Sequence, residues 1–227
     1  MRALAIALLA LMIGACATTP DATAVPEDAF MARLQAHCGK AFAGRLVSGD
    51  AADAAMRGQP LVMHVAQCRD GEVRIPFSVG SDRSRTWVIR RVATGIELRH
   101  VHRHADGSLD EVTDYGGFSR TPGTAGLQHF PADAESQALF VRTDRAVSIA
   151  NVWAVAVDER RFAYELRRPP GSGERFFRVE FDLARPVATP PAPWGDKVGA
   201  WSSSLERATA LADRFHRDGG DEGEILL

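Results

Sequence analysis

Apolar and polar residues alternate over short stretches between about residues 42 and 183, and turn residues separate the stretches. In the last stretch Phe177, Val179 and Phe181 share one face, while Arg178 and Glu180 share the other. This period is typical of strands with one buried face, and the regular turns are typical of sandwiches and barrels. The pattern predicts about ten strands, at residues 42–48, 61–68, 72–79, 86–92, 96–104, 109–115, 125–130, 148–157, 161–167 and 175–183. We expect a mainly β fold, either an antiparallel up-and-down barrel or a strongly curved sheet.

Helical spacing occurs before, within and after this series. Phe30, Leu34 and Cys38 predict a lid-like helix over residues 26–38, and a second helix is expected at about 133–140. Residues 202–216 carry an apolar stripe that would pack on the domain or dock an envelope protein partner. Residues 186–194, between the last predicted strand and this apolar stripe, are rich in proline. We therefore expect them to leave the sheet and run extended, with Trp194 docking on the domain as a latch.

Two dipeptides predict tight hairpins whose pairing follows by counting. Asp70-Gly71 and Asp106-Gly107 both suit two-residue turns. The first turn sets Cys68 opposite Val73, Ala66 opposite Ile75 and His64 opposite Phe77, on the buried side. The second turn predicts a solvent-exposed ladder of opposite charges (Arg103 with Asp110, Arg99 with Asp114) and an inward face that pairs Leu98 with Tyr115, His100 with Thr113, His102 with Glu111 and His104 with Leu109.

The inward face of the second hairpin carries the candidate chemistry, because it changes from apolar to histidine-rich towards the turn. His100, His102 and His104 project to one side of a strand, and with Glu111 they form a set that suits zinc or ferrous iron. A metal-dependent hydrolase or isomerase would use such a site. The alternatives are a solvated strand end and histidines that orient an organic ligand. Further candidates for ligand binding at the mouth of the barrel are His64, Arg83, Arg85, Thr113 and Tyr115.

The first residues resemble a bacterial lipoprotein signal. Arg2, an apolar run from Ala3 and the sequence Ile13-Gly14-Ala15-Cys16 match its basic start, its short apolar region and its lipobox. The resemblance implies a signal peptide over residues 1–15, a lipidated (palmitate-bearing) Cys16 and a tether at 16–25. Ala17 favours the outer membrane, with the protein facing the periplasm. The alternative is an ordinary secretory signal with a chance cysteine.

The two remaining cysteines, Cys38 and Cys68, lie in a chain that this leader sends to an oxidising compartment. We therefore predict a disulfide between them. Two catalytic or metal-binding thiols are the alternative, although neither cysteine belongs to a C-x-x-C pair.

Composition narrows the function further. The 227 residues include 27 basic and 29 acidic ones, and removal of Arg2 with the signal leaves 26 against 29, a net charge of −3. This balance predicts no nucleic-acid partner. The sequence contains no G-x-S-x-G elbow, Walker loop or dinucleotide fingerprint. We expect one domain at 26–195, followed by a helix and an acidic tail at 196–227.

Several short blocks resemble an uncharacterised family of bacterial secreted proteins and lipoproteins, a domain of unknown function. They are residues 38–45, Met63 to Arg69, Asp82 to Trp87, His100 to Gly107, the Tyr115-Gly116-Gly117 turn and Pro191 to Gly195. The resemblance spans residues 38–195 and implies no activity. The expected barrel is also similar in outline to lipocalin-like barrels, which bind small apolar ligands or haem. We thus expect a lipid-anchored, small-ligand-binding module, with a metalloenzyme or a non-catalytic envelope scaffold as alternatives.

Overall fold

The computed structural model describes residues 25–69 and 71–196. The expected signal peptide, the lipidated Cys16, most of the tether, Asp70 and the C-terminal helix at 202–216 with its tail lie outside the described residues. Within the described part of the chain, no helix has the length and apolarity that crossing a membrane requires.

Eleven strands, two α-helices and two 3₁₀ helices make up the described residues, in this order: α1 Pro26–Gln35, β1 Ala41–Leu46, the first 3₁₀ helix Ala51–Met56, β2 Leu61–His64, β3 Gln67–Arg69, β4 Glu72–Val79, β5 Asp82–Val92, β6 Gly95–His102, β7 Tyr115–Phe118, β8 Leu127–Pro131, α2 Ala134–Arg142, the second 3₁₀ helix Ala146–Ala150, β9 Val152–Val157, β10 Arg161–Arg168 and β11 Arg175–Val187. The predicted β class and most predicted strands are confirmed.

All strands belong to one antiparallel sheet that curves into a nearly closed barrel, with the order β7-β6-β5-β4-β2-β1-β11-β10-β9-β8 and β3 paired to β4. The two ends of this order meet at a bridge between Gly117 and Ala132. Glycine is required there, because a Cβ on Gly116 would overlap the carbonyl of Leu98, and one on Gly117 would overlap that of Pro131. The backbones of β7 and β8 can therefore approach closely.

The core fills the barrel with the inward residues of each strand. In β4 the side chains of Val73, Ile75 and Phe77 are buried, while Arg74 points outward to Glu72. Burial of each large apolar side chain contributes roughly 1.5–3 kcal/mol. The residues that point inward in β4 are therefore those that the alternating sequence pattern predicts to be buried.

Helix α1 closes one end of the barrel. Its Phe30, Met31 and Leu34 are buried in the core, and Asp28 pairs with Arg91 at the end of β5. The predicted disulfide is confirmed between Cys38, just after the helix, and Cys68. It joins the helix to the hairpin of β3 and β4.

Helix α2 covers the edge where the barrel closes. Asp133 caps it by accepting from the backbone N–H of Ser136 at 2.8 Å, and its other oxygen lies 2.8 Å from Arg99 on β6. Ser136 Oγ accepts from the N–H of Gly116 at 2.7 Å and donates to the carbonyl of that residue at 3.0 Å. The helix thus satisfies the backbone groups of β7 that no strand pairs.

The first hairpin departs from its predicted register. Cys68 faces Val73 as expected, but beyond a break at residues 65–66 Met63 rather than His64 faces Phe77. A shift of one residue turns every side chain to the other face of the sheet. Met63 and Val65 are therefore buried, and the predicted inward position of His64 is wrong.

The second hairpin departs further, and the predicted strand at 109–115 does not form. Arg103 faces Leu109, whereas His100 faces Tyr115, two residues beyond its predicted partner. The intervening residues form a loop instead, in which Thr113 Oγ1 accepts from the N–H of His102 at 2.8 Å. The charge ladder and the pairing of His102 with Glu111 are wrong for this reason. His100 still points inward because a shift of two residues preserves the face.

Strand β11 also continues further than the sequence predicts. It runs through Val187, and Pro186 pairs with Phe42 past a register shift at which β11 has the extra residues. The segment that follows lies against β5, where Arg83 donates to the carbonyl of Ala192 at 2.8 Å and accepts from the N–H of Trp194 at 3.1 Å. The backbone of Trp194 therefore holds this segment on the barrel.

Candidate ligand-binding site

A cavity of about 200 Å³ opens at the end of the barrel opposite α1. Strands β4, β5, β6, β10 and β11 and the start of β7 contribute its walls, and the first 3₁₀ helix borders it through Ala52, Asp53 and Met56. The interior of the barrel is thus filled at the α1 end and open at the other. This arrangement matches the inward face that the sequence predicts to change from apolar to histidine-rich.

Aromatic rings form much of the wall. Trp87 stacks on Phe77 with ring centroids 4.9 Å apart and on Tyr164 with centroids 4.4 Å apart. Phe177 contacts Tyr164 edge-on and also lines the cavity. Each of these residues occupies an inward position of its strand, so the alternation of the sheet assembles a box of flat, rigid rings.

His100 lies on this wall with both ring nitrogens hydrogen-bonded. Nδ1 is 3.0 Å from the backbone carbonyl oxygen of Tyr115, and Nε2 is 2.6 Å from the hydroxyl of Tyr164. Because a carbonyl oxygen only accepts, Nδ1 must carry the proton, and Nε2 then accepts from Tyr164. The neighbours of His100 therefore fix a single neutral tautomer.

The pKa values of this pair agree with that tautomer. Burial, with a smaller effect from His102, lowers the pKa of His100 to about 3, and burial raises the pKa of Tyr164 well above its ordinary value. The imidazole is neutral and the phenol protonated at neutral pH, so the hydrogen bond between them joins two uncharged groups.

Tyr115 connects His100 to His102. Its ring stacks on His100 at 4.8 Å and on His102 at 5.6 Å, and its hydroxyl is 3.1 Å from His102 Nε2. Burial raises the pKa of Tyr115 to about 12. Burial, followed by the charge of Arg85, lowers the pKa of His102 to about 4. This side of the cavity is therefore polar but uncharged at neutral pH.

Charged residues surround the mouth. Arg85 pairs with Asp82 at 2.5 Å on the β5 side. On the opposite side Arg175 binds both carboxylate oxygens of Asp53, a residue only 2% exposed, and lies 2.9 Å from Asp50. The hydrogen bond to Asp53 is the main cause that raises the pKa of Arg175. These ion pairs fasten the first 3₁₀ helix beside the cavity.

The predicted metal site is not assembled. His104 and Glu111 are exposed on the hairpin, away from the cavity, whereas Nε2 of His100 and Nε2 of His102 are bonded to tyrosine hydroxyls. In residues 25–69 and 71–196 no group of three or more His, Cys, Asp or Glu is placed to hold a metal ion. The cause is the loop at 110–114, which takes Glu111 out of register with His102.

The predicted ligand-binding residues separate into two groups. Arg85 and Tyr115 line the cavity, and Thr113 supports it through the backbone of His102. His64 pairs with Ala41 at the α1 end of the sheet, and Arg83 binds the proline-rich segment. Neither His64 nor Arg83 lines this cavity.

Trp87, Tyr164 and Phe177 occupy strand positions that the sequence pattern does not distinguish from the core, and Asp53 and Arg175 were not among the candidates. The aromatic residues could have been found from their inward register near the open end of each strand. No local signal marks Asp53, because its role depends on a contact with a strand more than 120 positions away.

Comparison with known proteins found no matching family model, no similar curated protein and no similar solved structure. The resemblance to a family of bacterial lipoproteins therefore stays a prediction, and the geometry of the cavity carries the functional argument.

Proposed function

We propose that this protein binds a small molecule with a single planar ring in the aromatic cavity. The observation that carries the proposal is a cavity of about 200 Å³ whose walls are stacked aromatic rings. An apolar cavity of about 150 Å³ accepts one benzene molecule, whereas most drug-sized ligands occupy roughly 300–1,000 Å³. One ring with a small substituent fits this range, and a haem does not.

The polar groups of the cavity suit recognition. The hydroxyl of Tyr164 donates to Nε2 of His100, and Nδ1 of His100 is bonded in turn to a backbone carbonyl. Such a network fixes its members in place and presents oriented dipoles to a ligand. A metal-dependent hydrolase, the alternative considered from the sequence, would need the histidine nitrogens that these bonds occupy.

The proposed location is the periplasmic face of the outer membrane, with Cys16 as the lipid anchor. The support is the leader at residues 1–15 and the residue after the cysteine. Each buried methylene of an acyl chain contributes about 0.8 kcal/mol to membrane affinity. Replacement Cys16→Ala is expected to release the protein from membranes into the soluble periplasmic fraction. Retention of the variant on washed membranes would contradict this location.

Binding is tested with 4-fluorophenol and the mature chain carrying Cys16→Ser, which prevents lipidation. We expect ¹⁹F NMR titration to give a dissociation constant of about 1 mM or lower, which corresponds to roughly −4 kcal/mol. Leu166→Trp places an indole in the cavity and is expected to abolish binding. The control Val141→Trp adds the same ring at a site on α2 that is 62% exposed, and it should bind normally. Equal binding by all three proteins, or binding by none, would refute the proposal.

A further inference from the structure

Two arginines face each other at the rim of the cavity. Arg168 ends β10 and pairs in register with Arg175, which begins β11. Along β10 the residues Tyr164, Leu166 and Arg168 share the inward face, and the first two line the cavity. Arg168 lies two residues beyond Leu166, about 7 Å along the strand. Its side chain does not line the cavity in this structure, but it is long enough to reach the mouth.

Among the described residues, Arg168 makes no close ion pair of the kind that its neighbour Arg175 makes with Asp53, although the charge of Asp50 acts on it. Its Nε is buried without a hydrogen-bond partner, and no ion pair forms at this residue within the described part of the chain. Burial and then the charge of Arg175 lower the pKa of Arg168, and the charge of Asp50 offsets part of this effect. A cation that is partly desolvated and adjacent to another cation is stabilised by an incoming anion.

Arg175 shows what kind of anion this rim accepts. Its two terminal nitrogens bind the two oxygens of the Asp53 carboxylate, and Asp50 adds a second carboxylate 2.9 Å away. Planar guanidinium groups match carboxylates in this way, through parallel charge-assisted hydrogen bonds. The rim thus already holds carboxylates beside Arg168, an arginine that makes no close ion pair of its own with any described residue.

We propose that the ligand is a single-ring aromatic carboxylate, whose ring lies against Trp87 and Tyr164 and whose carboxylate binds Arg168 beside Arg175. This inference rests on the proposed function and specifies the class of ligand. His100, His102 and Tyr115 give one side of the cavity uncharged polar groups. Arg168 and Arg175 lie together on neighbouring strands at the rim, so the ring can face the uncharged groups while its carboxylate meets the arginines.

The inference is tested by ¹⁹F NMR titration of the mature Cys16→Ser chain with 4-fluorobenzoate and with 4-fluorobenzamide, its neutral isostere. We expect the benzoate to bind at least about tenfold more tightly, as a charge-assisted hydrogen bond provides. Arg168→Gln should remove this preference and leave affinity for the benzamide unchanged. Arg167→Gln is the matched control, because that arginine lies on the outer face, where it pairs with Glu165, and should preserve the preference.

The outcomes separate the two proposals. Equal affinity for both probes, or tighter binding of the benzamide, would overturn the carboxylate and leave ring binding intact. A preference for benzoate that survives Arg168→Gln would overturn the assigned rim site. Failure of both probes and of 4-fluorophenol to bind would overturn ring binding itself.

Discussion

Mild acid should destabilise this protein through His100 and His102. Their pKa values are about 3 and about 4 in the folded chain, against 6.5 for an unperturbed histidine. Both folded values are lowered, so the unfolded chain binds protons first as pH falls. The stabilisation that depends on these two neutral histidines is therefore fully present above pH 6.5, and it is lost progressively as the pH falls towards the folded pKa values. Between pH 6 and pH 5 each histidine should lower the free energy of unfolding by about 1.2 kcal/mol, and the pair should lower it by about 2.4 kcal/mol.

Urea unfolding followed by circular dichroism at pH 6 and pH 5 measures this loss. His102→Gln retains an acceptor for Tyr115 and cannot be protonated, so its loss should be smaller than that of the wild type by about 1.2 kcal/mol. His104→Gln is the control, because that ring is exposed, and its loss should equal that of the wild type. If wild type and His102→Gln lose the same stability over this interval, the neutral, buried state assigned to His102 is wrong.

Three further changes test the fold around the site. Tyr164→Phe leaves a buried imidazole nitrogen without its donor and should lower the free energy of unfolding by about 1–3 kcal/mol, measured in urea; an unchanged value would contradict that bond. Gly116→Ala should cost at least about 1–3 kcal/mol because its Cβ has no room at the barrel closure, whereas Gly49→Ala, with open space around it, should leave the thermal midpoint nearly unchanged. Replacement of Cys38 and Cys68 by serine should cost about 3.5 kcal/mol by the chain-entropy estimate, and thiol labelling of the native, non-reduced protein should be negative; labelling of both cysteines would rule out the bond.

The β class was predictable because it depends on a local pattern. Inward residues such as Val73, Ile75 and Phe77 recur every second position, and their burial follows from any sheet that covers one face. Helix α2 was predictable for the same kind of reason, since Asp133 precedes an amphipathic stretch and caps it. The disulfide followed from the number of cysteines and the expected compartment.

Strand register was less predictable, because it depends on bulges and loops with weak local signals. The break at residues 65–66 displaced His64 from the inward face, and the loop at 110–114 displaced Glu111. The first error removed a candidate ligand-binding residue from the cavity, and the second removed Glu111 from the predicted metal site. The shift at His100 was an even number of residues, so its inward position was predicted correctly even though its partner was not.

The residues of the site were predictable in part, because some depend on local pattern and others on how distant strands meet. His100, His102, Tyr115 and Arg85 were candidates from the sequence, and the structure places all four around one cavity. The hydroxyl of Tyr164 could not be assigned, because it meets His100 only after β6 and β10 have curved towards each other across the barrel. Because the sheet closes into a barrel, the histidines of β6 form hydrogen bonds to tyrosine hydroxyls in the cavity wall instead of the predicted metal site.

The most direct test of the account is where a bound ring lies. Intermolecular nuclear Overhauser effects between 4-fluorophenol and the mature Cys16→Ser chain would locate it, with the aromatic protons of Trp87, Tyr115 and Tyr164 assigned. We expect contacts from the probe to Trp87 and Tyr164, and we expect Leu166→Trp to abolish them. Contacts confined to the outer surface of the barrel, or none at saturating probe, would contradict the claim that this cavity is a ligand site.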